Sequence, residues 1–263
     1  MNKYRLHGDP PYTIAVLHGG PGAPGEMAPV AGELSGQFGV IEPFQLNMTI
    51  DGQLEELKAV LEDIGSPPVI IVGWSFGAFL GYIFSAYNPV MVSKLILVGS
   101  GAFTEHHASN IMNTRMGRLD EKDRSEVIRI NERLGDPEVG EKNHLLERFA
   151  QIISRADSFD AVDHDSDLIE GRYDVFKEVW WEASEMRRSG SLLELGRRIR
   201  CPVTAIHGDF DPHPAAGVSD PLSGVLDDFR FVLLLKCGHK PWIEKYARDE
   251  FFTILNEEIG KVV

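Results

Sequence analysis

Four short segments of the sequence place chemically capable side chains beside glycines. Ser75 sits in Gly73-Trp74-Ser75-Phe76-Gly77, a G-x-S-x-G pattern that follows the apolar run PVIIVG at 68–73. A serine on a tight strand-to-helix turn presents its hydroxyl beyond the carboxyl end of the strand, and small residues two before and two after it keep neighbouring chains from clashing. The helix that follows aims its first amides at the site and favours developing negative charge. Such a hydroxyl attacks a carbonyl carbon when an imidazole takes its proton and a carboxylate holds that imidazole in the right tautomer. The chain order that goes with this turn is serine, acid, histidine. The segment HGDFDP at 207–212 offers Asp209 and Asp211, and Cys237-Gly238-His239 offers the last histidine of the chain. Asp211 is the preferred acid, since Asp209 sits early in its turn, where an aspartate braces the backbone. His207 and His213 read as structural or rim residues.

A tetrahedral oxyanion needs rigid donors at close approach. His18-Gly19-Gly20-Pro21-Gly22 directly follows the first apolar run, TIAVLH at 13–18. A turn of this kind supplies one backbone N–H, and the residue after the nucleophile supplies the other. These amides are assigned to Gly20 and Phe76. His18, at the opening of the turn, is expected to orient the loop rather than to act as a base. Trp74, Phe76, Trp180, Trp181 and Trp242 are candidates for an apolar pocket wall, shared with ordinary core.

The elements that must carry these residues alternate. Strands are expected at 13–18, 38–42, 68–73 and 94–100, then in VTAIHG and FVLLL. Helices are expected around 25–36, over 50–65 with Asp51 as N-cap and Gly65 as stop, over 76–87, and over about 242–259. The run at 68–73 is apolar throughout, which suits a strand covered on both faces. Strands separated by helices imply a mostly parallel central sheet with helices on both faces, an α/β fold. Between 102 and 191 the pattern is helical and charged with no convincing strand. That block reads as an insertion after a central strand. Residues 1–101 and 192–263 then form the core.

The chain of 263 residues carries 26 basic and 40 acidic residues, a formal charge of −14. Such a balance disfavours nucleic acid and offers no polybasic patch for an anionic membrane. No apolar run reaches the roughly 18 residues of a membrane span, and the N-terminus lacks a signal-peptide pattern. A cytoplasmic location is the expectation. Cys201 and Cys237, the two cysteines, should lie at opposite ends of neighbouring parallel strands, out of reach of a disulfide. Two cysteines so placed do not make a zinc site, so neither a metal nor another cofactor is expected.

Taken together, HGGPG, GWSFG, the helical insert, HGDFDP and CGH, in that order, resemble the α/β-hydrolase superfamily over nearly the whole chain. The resemblance implies that the insert is a helical cap over the active site. It also implies a serine hydrolase that cleaves a small ester, amide or thioester through an acyl-enzyme, with Ser75, Asp211 and His239 as the triad. The HGGPG turn is similar to that of proline iminopeptidases, whose cap acids hold a substrate's free amine. Glu182 and Glu185, in the cap segment WWEASE, are the corresponding candidates beside Trp74 for substrate binding. The sequence departs from those peptidases in carrying EPFQLN at 42–47, where they carry Asp-Gln-Arg-Gly, and in placing tryptophan before rather than after the serine. A proline iminopeptidase-like aminopeptidase for small N-terminal residues, a lyase and a non-catalytic binding protein are the alternatives on the same scaffold.

Overall fold

The computed structural model describes residues 3–162 and 168–262. Seven strands form one sheet: β1 (Tyr4–His7), β2 (Tyr12–Leu17), β3 (Gly39–Pro43), β4 (Val69–Trp74), β5 (Val92–Val98), β6 (Val203–Gly208) and β7 (Phe229–Leu234), in the order β1-β3-β2-β4-β5-β6-β7. Only β1 runs antiparallel, against β3; the other pairings are parallel. The sheet is thus mostly parallel, as the alternating pattern implied, with β1 added at one edge.

Strand periodicity divides the core in two. Ile14, Val16, Ile70, Val72, Ile96 and Val98 face α1 (Ala28–Leu34) and the C-terminal helix. Ala15, Leu17, Ile71, Leu95 and Leu97 face α2 (Ile50–Asp63) and α3 (Phe76–Tyr87). Alternate side chains leave opposite faces of a strand, so a strand covered on both sides must be apolar at every position. β4 is buried at each of its residues for that reason. The helix α3 is buried along almost its whole length, as an all-round apolar helix requires.

Between β5 and β6 the chain forms α4 (Glu105–Ala108), α5 (Ile111–Arg118), α6 (Glu121–Gly135), α7 (Lys142–Asp157), α8 (Tyr173–Ser189) and α9 (Ser191–Glu194). Leu119, Val127, Ile130, Leu134, Ile152, Ile153 and Ala156 make a small apolar cluster of their own within this block. Val175, Val179 and Ala183 of α8 instead join the main core. After β6 come α10 (Ala216–Ser223) and, beyond β7, α11 (Arg248–Gly260).

Several boundaries differ from the sequence expectation. The cap of α2 is Thr49, whose side chain accepts from the Gly52 amide, and not Asp51. An extended residue preceding the helix can turn its oxygen back to the first amides, whereas Asp51 already lies inside the first turn. The helix ends at Asp63 with Ile64 as its cap, so Gly65 is not needed as a left-handed stop. The last helix starts at Arg248, because Pro241–Ile243 forms a separate short 3-10 turn. Strand β5 begins two residues earlier than expected, and β1 was not expected at all.

The end of the sheet away from the loop of Ser75 is fastened by one carboxylate. Glu258 of α11 accepts from Lys94 at 2.5 Å and from Thr204 at 2.8 Å, and also pairs with Arg230 and Lys261. Burial opposes its charge, but these donors outweigh burial and hold it at about 2, against an ordinary 4.5. A carboxylate depressed in the folded state stabilises above its unfolded pKa, and that contribution is lost as pH falls from about 4.5 towards 2. Replacing it leaves Lys94 buried without its charge partner. Glu258→Gln is therefore expected to cost about 3 kcal/mol in urea unfolding at neutral pH. The variant should also lose less stability than the parent between pH 4.5 and pH 2.

Candidate active site

The elbow around Ser75 is built by close backbone approach. Ser75 holds φ 54° and ψ −116°, a conformation that side-chain-bearing residues rarely adopt, directly ahead of α3. A Cβ on Gly73 would lie 2.2 Å from the Gly77 carbonyl oxygen, and one on Gly77 would lie 2.3 Å from that of Leu17. Both glycines of the motif are thus steric requirements of the turn. The Ser75 amide donates to the Val98 carbonyl at 3.0 Å, which ties the elbow to the end of β5.

The structure brings Ser75, His239 and Asp211 together. Ser75 Oγ lies 3.0 Å from His239 Nε2. His239 Nδ1 lies 2.7 Å from Asp211 Oδ2. A carboxylate only accepts, so Nδ1 carries the proton and Nε2 is left to accept from the serine hydroxyl. Asp211 follows β6 and His239 follows β7, both just beyond the carboxyl ends of parallel strands, where such sheets gather their reactive groups.

Asp211 is the most heavily partnered group in the site. Burial opposes its charge, yet His239, His213 and His207 together hold it well below the usual carboxylate range. Its Oδ1 accepts from the His213 amide at 2.9 Å and lies 2.7 Å from His213 Nδ1. His207 Nε2 lies 2.8 Å from the His213 carbonyl and fixes that turn. Asp209 does brace, but across loops: its Oδ1 accepts from the Cys237 amide at 3.1 Å. Arg118 donates to the Phe210 carbonyl at 2.8 Å and lies 3.7 Å above the Phe210 ring, holding the residue before Asp211 from the side of the helical block. Asp211, His213 and His239 place potential metal-ligating atoms within 4.8 Å of one another. Both carboxylate oxygens are already engaged by imidazoles, so a cation seated there would displace the hydrogen bonds that align His239.

The loop after β2 carries Gly20, Pro21 and Gly22 to the mouth of the site. Among the described residues, neither the Gly20 amide nor the Phe76 amide is used by a protein acceptor. His18 is fully buried, with Nε2 2.9 Å from the Phe44 carbonyl and its amide donating to Gln45 Oε1 at 3.2 Å. It holds the loop, as expected of its position.

Ser75 opens into a cavity of about 290 Å³ between the sheet and the helical block. Leu146, Phe149, Ile153, Phe176 and Trp180 supply apolar walls. Trp74 lines it too, and its indole N–H donates to the His239 carbonyl at 2.9 Å. The other aromatic candidates do not reach it: the Phe76 ring and Trp242 are core, and Trp181 is 61% exposed on the outer surface. Glu182 and Glu185 are likewise absent from the wall. Glu182 accepts from the Ile50 amide at 2.8 Å, serving the start of α2, and Glu185 pairs on the surface with Arg188.

Several groups went unanticipated. Arg115 grips Asp157 through two nitrogens, at 2.8 and 2.7 Å, on the cavity wall. Lys240 pairs with Glu26 at 2.9 Å at the rim and lies 4.7 Å above the Trp74 ring. Buried Glu244 accepts from the amides of Phe159, Asp160 and Gly238, each at 2.9 Å, while the Asp157 carbonyl accepts from the His239 amide at 2.8 Å. The end of α7 is thereby joined to the histidine loop. Arg115, Glu244 and Asp157 sit in ordinary amphipathic or loop sequence, and only their tertiary partners distinguish them.

Comparison with known proteins agrees with this architecture. VinJ superposes with a TM-score of 0.70 at 18% identity, over 99% of this chain and 95% of VinJ. A thermophilic esterase from Thermogutta terrifontis gives 0.66 at 18% identity, over 98% of this chain and 93% of the esterase. Proline iminopeptidase of Mycobacterium smegmatis gives 0.63 at 17% identity, over 98% and 94%. No protein of curated function matches the sequence. The structural likenesses speak for the fold, and the model of the alpha/beta hydrolase family matches residues 7–253, nearly the full length. This chain belongs to the alpha/beta hydrolase family.

Proposed function

We propose that the chain is a serine hydrolase of small esters, with Ser75 as nucleophile, His239 as general base and acid, and Asp211 as the group that orients His239. The observation that carries this reading is the unbroken chain from Ser75 Oγ through His239 to Asp211, at 3.0 and 2.7 Å, opening into the cavity beneath the helical block. Ser75 attacks the carbonyl carbon as His239 Nε2 takes its proton. The amides of Gly20 and Phe76 hold the oxyanion. His239 then protonates the departing group, and a water deprotonated by the same nitrogen releases the acyl group from Ser75. Residues 102–191 serve as the cap over this reaction, and residues 1–101 with 192–263 as the core domain.

The charges in the cavity favour an ester over a substrate with a free amine. A cationic amine requires an acid without a partner, but Asp157 is held by Arg115 and Glu26 by Lys240. Glu147 accepts from the Gly171 amide at 3.1 Å. An aminopeptidase like the structural relative from Mycobacterium smegmatis is therefore the weaker reading, and Glu182 and Glu185 do not supply it. No helix among the described residues is long and apolar enough to cross a membrane. The two free thiols suit a reducing compartment, and the cytoplasm is the proposed place of action.

Ser75→Ala should lower kcat on a short-chain p-nitrophenyl ester by at least about 10⁴-fold with an unchanged circular dichroism spectrum. Asp211→Asn should cost about 10⁴-fold as well, since an amide permits the wrong imidazole tautomer. Turnover surviving in pure Ser75→Ala protein would refute the assignment. In the parent protein, short-chain esters should be cleaved at least about 100-fold faster than prolyl or alanyl chromogenic amides. The reverse order in kcat/KM would restore the aminopeptidase.

A further inference from the structure

The catalytic carboxylate holds two imidazoles, and the proposed reaction uses only one. Asp211 Oδ2 takes His239 and Asp211 Oδ1 takes His213, each at 2.7 Å. His213 is buried yet lines the same cavity as Ser75 and His239. Its ring centroid lies 4.6 Å from that of His239, with the planes tilted by 33°.

The protonation of His213 follows from its partners. Nδ1 faces a carboxylate oxygen and must donate. Burial, which outweighs the attraction of Asp211, pushes the imidazole down to about 4. At neutral pH the ring is uncharged, its proton is on Nδ1, and Nε2 carries a lone pair. Among the described residues Nε2 has no protein partner, and it is not among the buried side-chain atoms left unsatisfied, so it is the accessible polar atom of a ring that faces the cavity. His207 fixes the His213 carbonyl and Asp211 fixes both the amide and Nδ1, so the acceptor is held in place before any substrate arrives.

Its position selects a part of the substrate. His239 Nε2 delivers the proton to the departing heteroatom, so the leaving group lies against His239. The neighbouring ring is His213. We infer, resting on the serine-hydrolase reading above, that His213 is a specificity residue whose Nε2 accepts a hydrogen bond from a hydroxyl or N–H carried by the leaving group close to the scissile bond. The substrate class is then esters of diols, polyols or amino alcohols rather than of simple alkanols.

Matched esters test this, because they share one acyl-enzyme. The 2-hydroxyethyl and propyl esters of butyric acid differ in one leaving-group hydroxyl. The parent protein should favour the hydroxyethyl ester by about 5-fold or more in kcat/KM, the scale of one hydrogen bond. In His213→Asn the amide keeps a donor towards Asp211 but has no atom at Nε2, and the ratio should fall to about one. His213→Gln places an oxygen near the Nε2 position and should recover part of the preference. The readout is the ratio, which a general loss of activity does not move. Labelling of Ser75 by a fluorophosphonate, abolished in Ser75→Ala, reports the nucleophile separately. Failure to label overturns the hydrolase reading and the assignment with it. With labelling intact, equal turnover of the two esters, turnover of neither, or a preference that persists in His213→Asn overturns the role of His213 alone.

Discussion

One buried carboxylate sets the terms for the rest of the site. A charge without solvent is tolerated only with donors at close range, and Asp211 has its donors from His239, His213 and the His213 backbone amide. Those donors come from the loops after β6 and β7, so satisfying Asp211 also brings His239 over Ser75. The floor beneath is equally constrained. Gly99 at the end of β5 holds φ 49°, and a Cβ there would lie 2.6 Å from the His239 carbonyl and 3.4 Å from Asp211 Oδ2. Three strand ends therefore converge on one anion, and an unpaired Asp211 would disturb all of them.

Charge is used differently on the cavity walls. There each acid is matched by a base or by a backbone amide, which leaves a space that is apolar in bulk with its polarity concentrated near Ser75. A molecule in that space would meet polar groups close to Ser75 and apolar walls beyond it.

The motifs were legible because each is a steric or electronic necessity of a local turn. Gly73 and Gly77 have no room for a Cβ, and the loops of Asp211 and His239 follow strands whose apolar runs mark them in the sequence. The parallel sheet was legible for a related reason: strands such as β4 are apolar at every residue only when both faces are covered. What escaped depends on partners distant in sequence. β1 is four residues long and only partly buried, paired at one edge against β3, and so it lacks an apolar signature. Glu182 looked like a binding acid because it lies in the WWEASE segment of the helical block, but its target is the Ile50 amide, 132 residues away. His213 read as a rim residue; its placement two residues after Asp211 is what lets it reach the second oxygen, a contact that sequence spacing permits but does not require.

Glu244 has a mechanical consequence. Its hydrogen bonds from three amides, with the Asp157 carbonyl on the His239 amide and the Val162 amide on the Ile243 carbonyl at 2.8 Å, stitch one border of the helical block to the loop after β7. A second seam lies on the other side, where Val175, Val179 and Ala183 of α8 sit in the main core and Glu182 accepts from the Ile50 amide. A block pinned along two borders resists rotation about either one. The wall at Asp157 and the imidazole of His239 therefore share one rigid frame.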